Sequence, residues 1–117
     1  MITAVHTLVY ADDADAARAF FRDVLGWPHV DAHDGWLLFR TGPSELGVHP
    51  AGDAAARHEI SLMCDNIDRT VAELTAKGAV FTGEVQNASF GRTIMLKVPG
   101  AGDMLMYEPR HPVAHDL

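Results

Sequence analysis

Apolar and polar positions alternate along this chain in two rhythms, and the same succession occurs twice. Val5-His6-Thr7-Leu8-Val9-Tyr10 is short, β-branched and aromatic, which predicts a strand. Asp12-Asp13 follows as a helix cap, and Ala17, Phe20, Phe21 and Val24 then fall at i, i+3, i+4 and i+7, one apolar face of a helix. Gly26 supplies the stop. Residues 29–32, 36–39 and 46–49 read as three short strands, separated by the turns His33-Asp34-Gly35 and Thr41-Gly42-Pro43-Ser44. The order begins again at residues 58–63, a strand, with Asp65-Asn66 as cap and Ile67, Val71 and Leu74 as helical stripe. Gly78 is the second stop, and residues 80–85, 92–98 and 104–107 are three further strands.

This is an internal repeat with a period near half the chain. His6 precedes Gly26 by twenty residues, as His58 precedes Gly78. Gly47-Val48-His49-Pro50 closes one half and Met106-Tyr107-Glu108-Pro109 the other. The expected fold is α+β, two βαβββ modules over residues 1–50 and 57–109 in a single domain. Residues 51–56 serve as linker and 110–117 as tail.

Length and composition narrow the partners. A chain of 117 residues with 48% hydrophobic and 21% charged positions has the make-up of one globular domain. The single cysteine, Cys64, excludes an intrachain disulfide and any thiolate cluster, and its place at a strand-to-helix corner suits apolar filler. A formal charge of −7 opposes nucleic acid and anionic membrane as partners. With no basic amino-terminal signal and no apolar run long enough to span a bilayer, the expected location is cytoplasmic.

The repeat also aligns chemistry. His6 and His58 are mates on the first strand of each half, and His49 and Glu108 are mates at the end of the last. Convergence of such residues on a pseudo-two-fold axis would suit a borderline divalent ion: Fe2+, Mn2+, Ni2+ or Zn2+. His29, His33, His111 and His115 have no mate and are expected at the surface. Strand alternation puts Met104, Met106 and Glu108 on one face and Leu105 and Tyr107 on the other. With Glu108 in the cavity, Met104 and Met106 line it and Leu105 and Tyr107 meet the helices. Trp36, Phe90 and Arg92 are further candidate cavity residues. Glu45 shares the strand face of His49, and both are candidates for proton transfer.

Val5-His6-Thr7-Leu8-Val9-Tyr10, Ala19-Phe20-Phe21-Arg22-Asp23-Val24-Leu25-Gly26-Trp27, His58-Glu59-Ile60-Ser61-Leu62 and Met106-Tyr107-Glu108-Pro109 together resemble the vicinal oxygen chelate superfamily. That superfamily holds glyoxalase I, extradiol dioxygenases, fosfomycin resistance proteins and bleomycin resistance proteins. The resemblance implies metal ligands at His6, His49, His58 and Glu108, with His6, His58 and Glu108 forming the two-histidine, one-glutamate set of its dioxygenases. Glyoxalase-like members carry glutamate or glutamine where this chain has His49, so a three-ligand and a four-ligand site both stay open. It also implies a homodimer, since modules from two chains often complete one site.

Two functions follow as expectations. One is a metal-dependent enzyme, dioxygenase-like or glyoxalase/lyase-like, in which the ion chelates neighbouring substrate oxygens and stabilises developing charge. The other is a metal-free protein that sequesters a small molecule in the manner of bleomycin resistance proteins.

Overall fold

Both helices begin where the sequence places a cap. In the computed structural model, which describes residues 6–117, the Asp13 carboxylate accepts the Ala16 N–H ahead of α1 (Ala14–Asp23). The Asn66 side chain accepts the Arg69 N–H ahead of α2 (Ile67–Ala76). Each satisfies an otherwise orphaned helical donor, worth about 1 kcal/mol. Beyond the helices Gly26 and Gly78 take φ of 69° and 97°, the left-handed closing conformation that the repeat predicts.

The remaining elements are β1 (His29–His33), β2 (Trp36–Phe39), β3 (Ser61–Met63), β4 (Val80–Ala88), β5 (Gly91–Val98) and β6 (Gly102–Pro109). β1 and β2 form an antiparallel hairpin, and the other four make a sheet in the order β3-β6-β5-β4. β3 runs parallel to β6 and the other pairs are antiparallel, while α2 carries the chain from β3 across the sheet to β4 at the opposite edge. The second half is thus the predicted βαβββ unit, and the chain is mixed α+β.

One face of this sheet makes the core. Ile94, Leu96 and Val98 of β5 and Met104 and Met106 of β6 are buried, together with Ala17, Phe20 and Phe21 of α1 and Ile67 of α2. The helix of the first half therefore packs on the sheet of the second. A backbone bond from Asp13 N–H to the Gly100 carbonyl, 2.9 Å, fixes that junction. Gly100 is required there: its φ is +76°, and an added Cβ would lie 2.5 Å from the Asp13 carbonyl oxygen.

The first half departs from the predicted pattern. Residues 6–10 and 46–49 join no ladder, and the second-half strand begins at Ser61 rather than His58. Val5, the first residue of the predicted opening strand, lies outside the described residues. A strand persists only where its N–H and C=O groups find a partner, and these segments find none among the described residues. Their apolar side chains face solvent, with Leu8 51%, Tyr10 89%, Leu46 81% and Val48 92% exposed. The radius of gyration, 15.0 Å, accordingly exceeds the roughly 13 Å of a compact domain this long. Residues 51–56 are exposed, and no helix among the described residues is long and apolar enough to cross a membrane.

Candidate functional site: the open face of the sheet

Successive side chains of a strand point to opposite faces, so burying Met104 and Met106 against the helices sends Leu105 and Tyr107 the other way. This reverses the expected assignment. Met106 is 2% exposed and belongs to the core, packed with Ile67 and Ile94. Met104 is buried among Phe20, Leu96 and Val98, with only its edge at the cleft described below. The helices of this module need an apolar sheet face, and the residues most deeply buried decide which face that is. Opposite them, strand register sets Ser61, Leu105, Met95 and Thr82 in one row and Met63, Tyr107, Thr93 and Gln86 in the next. These two rows form the open face.

Glu108 shares the parity of the methionines and so lies on the helix side. Its carboxylate accepts the Ile67 N–H at 3.0 Å, at the first turn of α2. Arg92, opposite Glu108 in the β5–β6 register, makes a two-pronged pair with Asp68 of α2 at 2.9 and 3.2 Å. That pair holds the Arg92 guanidinium above its usual pKa and the Asp68 carboxyl below its own. Arg92 and Glu108 therefore seat the amino-terminal end of α2 on the sheet, and neither side chain reaches the open face.

The four residues implied as metal ligands are not assembled within one chain. Among the described residues, no group of three or more histidine, cysteine, aspartate or glutamate side chains comes together to hold an ion. Register shows why for the best triad. Ser61 pairs with Leu105, and the Cys64 N–H bonds the Tyr107 carbonyl, so Glu108 and His58 lie beyond opposite ends of the β3–β6 pairing. Leu105 and Glu108 alone are separated by roughly 10 Å of strand. His6 is exposed. His49 is exposed too, with its Nδ1 turned 2.8 Å from the neighbouring Pro50 carbonyl. Trp36 lies away from the sheet, under the Arg18 guanidinium at 4.9 Å from ring centroid. The residues present in one chain do not fit a Glu108-based divalent site.

His58 does reach a recess. A cleft of about 550 Å³ is lined by Val9, His58, Glu59, Ile60, Ser61, Met95, Asp103, Met104 and Leu105. It opens where the chain before β3 peels away from β6, at the Ser61–Leu105–Met95 end of the open face. Small-molecule sites span roughly 300–1,000 Å³, so its size suits an organic ligand rather than a bare ion.

The other end of the face is closed. Tyr107 is half-buried there, its hydroxyl 3.0 Å from His111 Nε2 and its ring 5.3 Å from Phe90 edge-on. Burial and the nearby Glu45 charge raise its pKa above the ordinary phenol value. Glu45 itself accepts the Ala114 and His115 N–H groups at 3.0 and 3.4 Å. The sequence pairs Glu45 with His49 as a candidate base, whereas its carboxylate is occupied with the tail. Tyr107 and His111 were not foreseen together. Their spacing of four is a helical signal, and here it spans a strand end and a turn.

Cys64 sits half-buried beside the α2 cap. Burial first, then the Glu108 and Asp65 charges, push its thiol up to about 11. Relative to an ordinary thiol of 9.0, the thiolate fraction at neutral pH falls about a hundredfold, and the higher intrinsic nucleophilicity of the more basic thiolate recovers roughly a factor of ten. Cys64 is expected to react with a disulfide reagent about tenfold more slowly in the native protein than after unfolding in urea, with equal native and unfolded rates as the contrary result.

A sheet with two helices on one face, a repeated sequence plan and an open face with a recess define a small α+β domain. The chain belongs to the Glyoxalase/Bleomycin resistance protein/Dioxygenase superfamily, whose family model matches residues 3–109. Among solved structures it is similar to the lactoylglutathione lyase of Agrobacterium tumefaciens, with TM-score 0.63 and 22% identity over 92% of this chain and 94% of that one. It is similar also to TnmS3, an antibiotic binding protein from Streptomyces sp. CB03234, with TM-score 0.62 and 19% identity over 92% and 99%. A third is the fosfomycin resistance protein FosX of Listeria monocytogenes, with TM-score 0.56 and 13% identity over 92% of each. At such identities the likeness is one of fold. No curated protein matches the chain in sequence.

Proposed function

We propose that this chain is a metal-free member of its superfamily that binds a small organic molecule in the cleft on the open face. The observation that carries the reading is the pair Leu105 and Glu108. The open-face position between Ser61 and Met95 is apolar Leu105, while the carboxylate that would complete a metal triad is tied to the Ile67 N–H on the opposite face. Ligand binding then rests on apolar burial against Val9, Met95 and Leu105, at about 25 cal/mol per Å² removed from water. Of the charged groups among the described lining residues, Glu59 pairs with Arg57 at 3.0 Å and Asp103 accepts the Thr82 hydroxyl at 3.2 Å, and both carboxylates are acidic groups at the cleft. The net charge of −7, with Asp103 at the cleft, favours an amphipathic cation over an anion. The similarity to an antibiotic binding protein is compatible with this role. Lactoylglutathione lyase and fosfomycin resistance relatives keep a catalytic alternative in view.

The reading also takes the protein as a homodimer. Residues 6–10 and 46–49 correspond in the repeat to β3 and the end of β6, and they expose their apolar side chains in a single chain. A second copy is the partner that symmetry supplies most simply.

Elemental analysis of untagged protein purified without chelators, then dialysed against zinc or iron, tests the first part. The expected outcome is well under one ion per chain. Titration with a planar cationic dye and an anionic one tests the second, and the cation is expected to bind at least about tenfold tighter at low salt. Stoichiometric metal lost on Glu108→Gln would instead return the protein to the enzyme class.

A further inference from the structure

The open face is only half available, and what occupies the other half is the chain's own segment 110–117. Thr93 faces away from the helices, in register with Tyr107 and Gln86, yet it is only 9% exposed. The tail is held at this end of the face. The Arg110 N–H bonds the Phe90 carbonyl at 2.8 Å, and its guanidinium reaches the Asn87 side chain at 3.0 Å. His111 then turns its ring onto Tyr107. Its Nδ1 lies 2.8 Å from the Pro112 carbonyl, which can only accept. In the neutral ring Nδ1 therefore carries the proton, and Nε2 accepts from the Tyr107 hydroxyl at 3.0 Å. Farther on, Glu45 takes the backbone N–H groups of Ala114 and His115. Two side chains from distant segments thus pin the tail at two points.

The pinning is incomplete. His115 Nδ1 is buried and finds no hydrogen-bond partner among the described residues. Such a nitrogen costs the closed arrangement the hydration it loses. Several of the tail's own bonds are solvent-exposed, and it carries no regular secondary structure. Segments of this kind open at far lower free energy than a sheet core.

The geometry points to residues 110–117 as a displaceable strap, which covers the Tyr107–Thr93 half of the open face and competes with a ligand that extends beyond the Leu105–Met95 cleft. The inference rests on the open face being the binding surface. Small ligands fit the cleft with the strap in place. Larger ones must displace His111 from Tyr107, after which the phenol hydroxyl and the Phe90 ring become free to meet them. Glu45 is then a positioning residue for the strap rather than a proton-transfer group.

The test compares the wild-type chain with Glu45→Ala and Tyr107→Phe, each checked for its native circular dichroism. Amide exchange at Ala114 and His115 is expected to speed up about tenfold or more in Glu45→Ala, because both donors lose their acceptor. Binding of the neutral dye Nile red is expected to tighten several-fold in both variants, and adding Leu105→Asp is expected to remove the gain. Unchanged exchange in Glu45→Ala would overturn the strap. Faster exchange with unchanged dye affinity would also overturn it, while leaving the cleft as a binding site. Absence of dye binding to all three proteins would remove both the strap and the open-face reading.

Discussion

Glu108→Ala is expected to lower the unfolding free energy by about 2 kcal/mol and to leave the metal content of the protein unchanged. The Ile67 N–H is one of the orphan donors of a helix start, and Ile67 is 0% exposed. Once the carboxylate is gone, that donor has no acceptor side chain in its place. A buried donor left without an acceptor costs roughly 1–3 kcal/mol. Removing a negative charge from a helix amino terminus adds about 0.3–1 kcal/mol. Glu108→Gln keeps an oxygen acceptor and loses only the charge, so its loss is expected to be about half as large or less. Urea unfolding followed by circular dichroism measures both. The ordering is diagnostic: a metal ligand loses its ion with alanine and holds it more weakly with glutamine, whereas a helix anchor loses stability mainly with alanine. Equal stabilities for the two variants, together with lost zinc, would reassign Glu108 to a metal site.

The local plan of this protein was legible because it rests on short-range rules. Asp13 and Asn66 as caps, Gly26 and Gly78 as stops, and Ala17, Phe20 and Phe21 as the buried stripe all follow from spacing within a single turn or helix. The strands of the second half were likewise readable, and the structure extends them to Val80–Ala88, Gly91–Val98 and Gly102–Pro109. Strand alternation correctly separated Met104 and Met106 from Leu105 and Tyr107. It could not say which set met the helices, because both sets are apolar enough to serve. Burial resolves this, and every face assignment on β6 inverts with it. That single choice carried Glu108 into the expected cavity and Tyr107 out of it. Glu45 and the tail were illegible for a different reason: their contacts join residues 69 and 70 positions apart, and no periodicity encodes a loop-to-tail meeting.

Leu46→Asp combined with Val48→Asp is expected to convert a dimer to a monomer across the micromolar range, weakening association by at least about a hundredfold. Leu46 and Val48 are 81% and 92% exposed, although their half-chain repeats a module whose strands are paired. A two-stranded hairpin such as β1–β2 is marginal without a further apolar partner, and among the described residues the first half holds only that hairpin and α1, whose buried face serves the second-half sheet. Covering one leucine or valine side chain fully contributes about 1.5–3 kcal/mol, and two-fold symmetry places each residue in the contact twice. Even half of that total exceeds the roughly 2.7 kcal/mol that a hundredfold change requires. Charged residues at these positions would add the cost of burying an ion. Val80→Asp, at a site 58% exposed on the far edge strand of the second-half sheet, is the matched control and is expected to leave association intact. Light scattering over a range of protein concentrations reads both variants directly. A wild type that scatters as a monomer throughout would remove the dimer, and residues 6–10 and 46–49 would then be unpaired segments of a protein that acts alone.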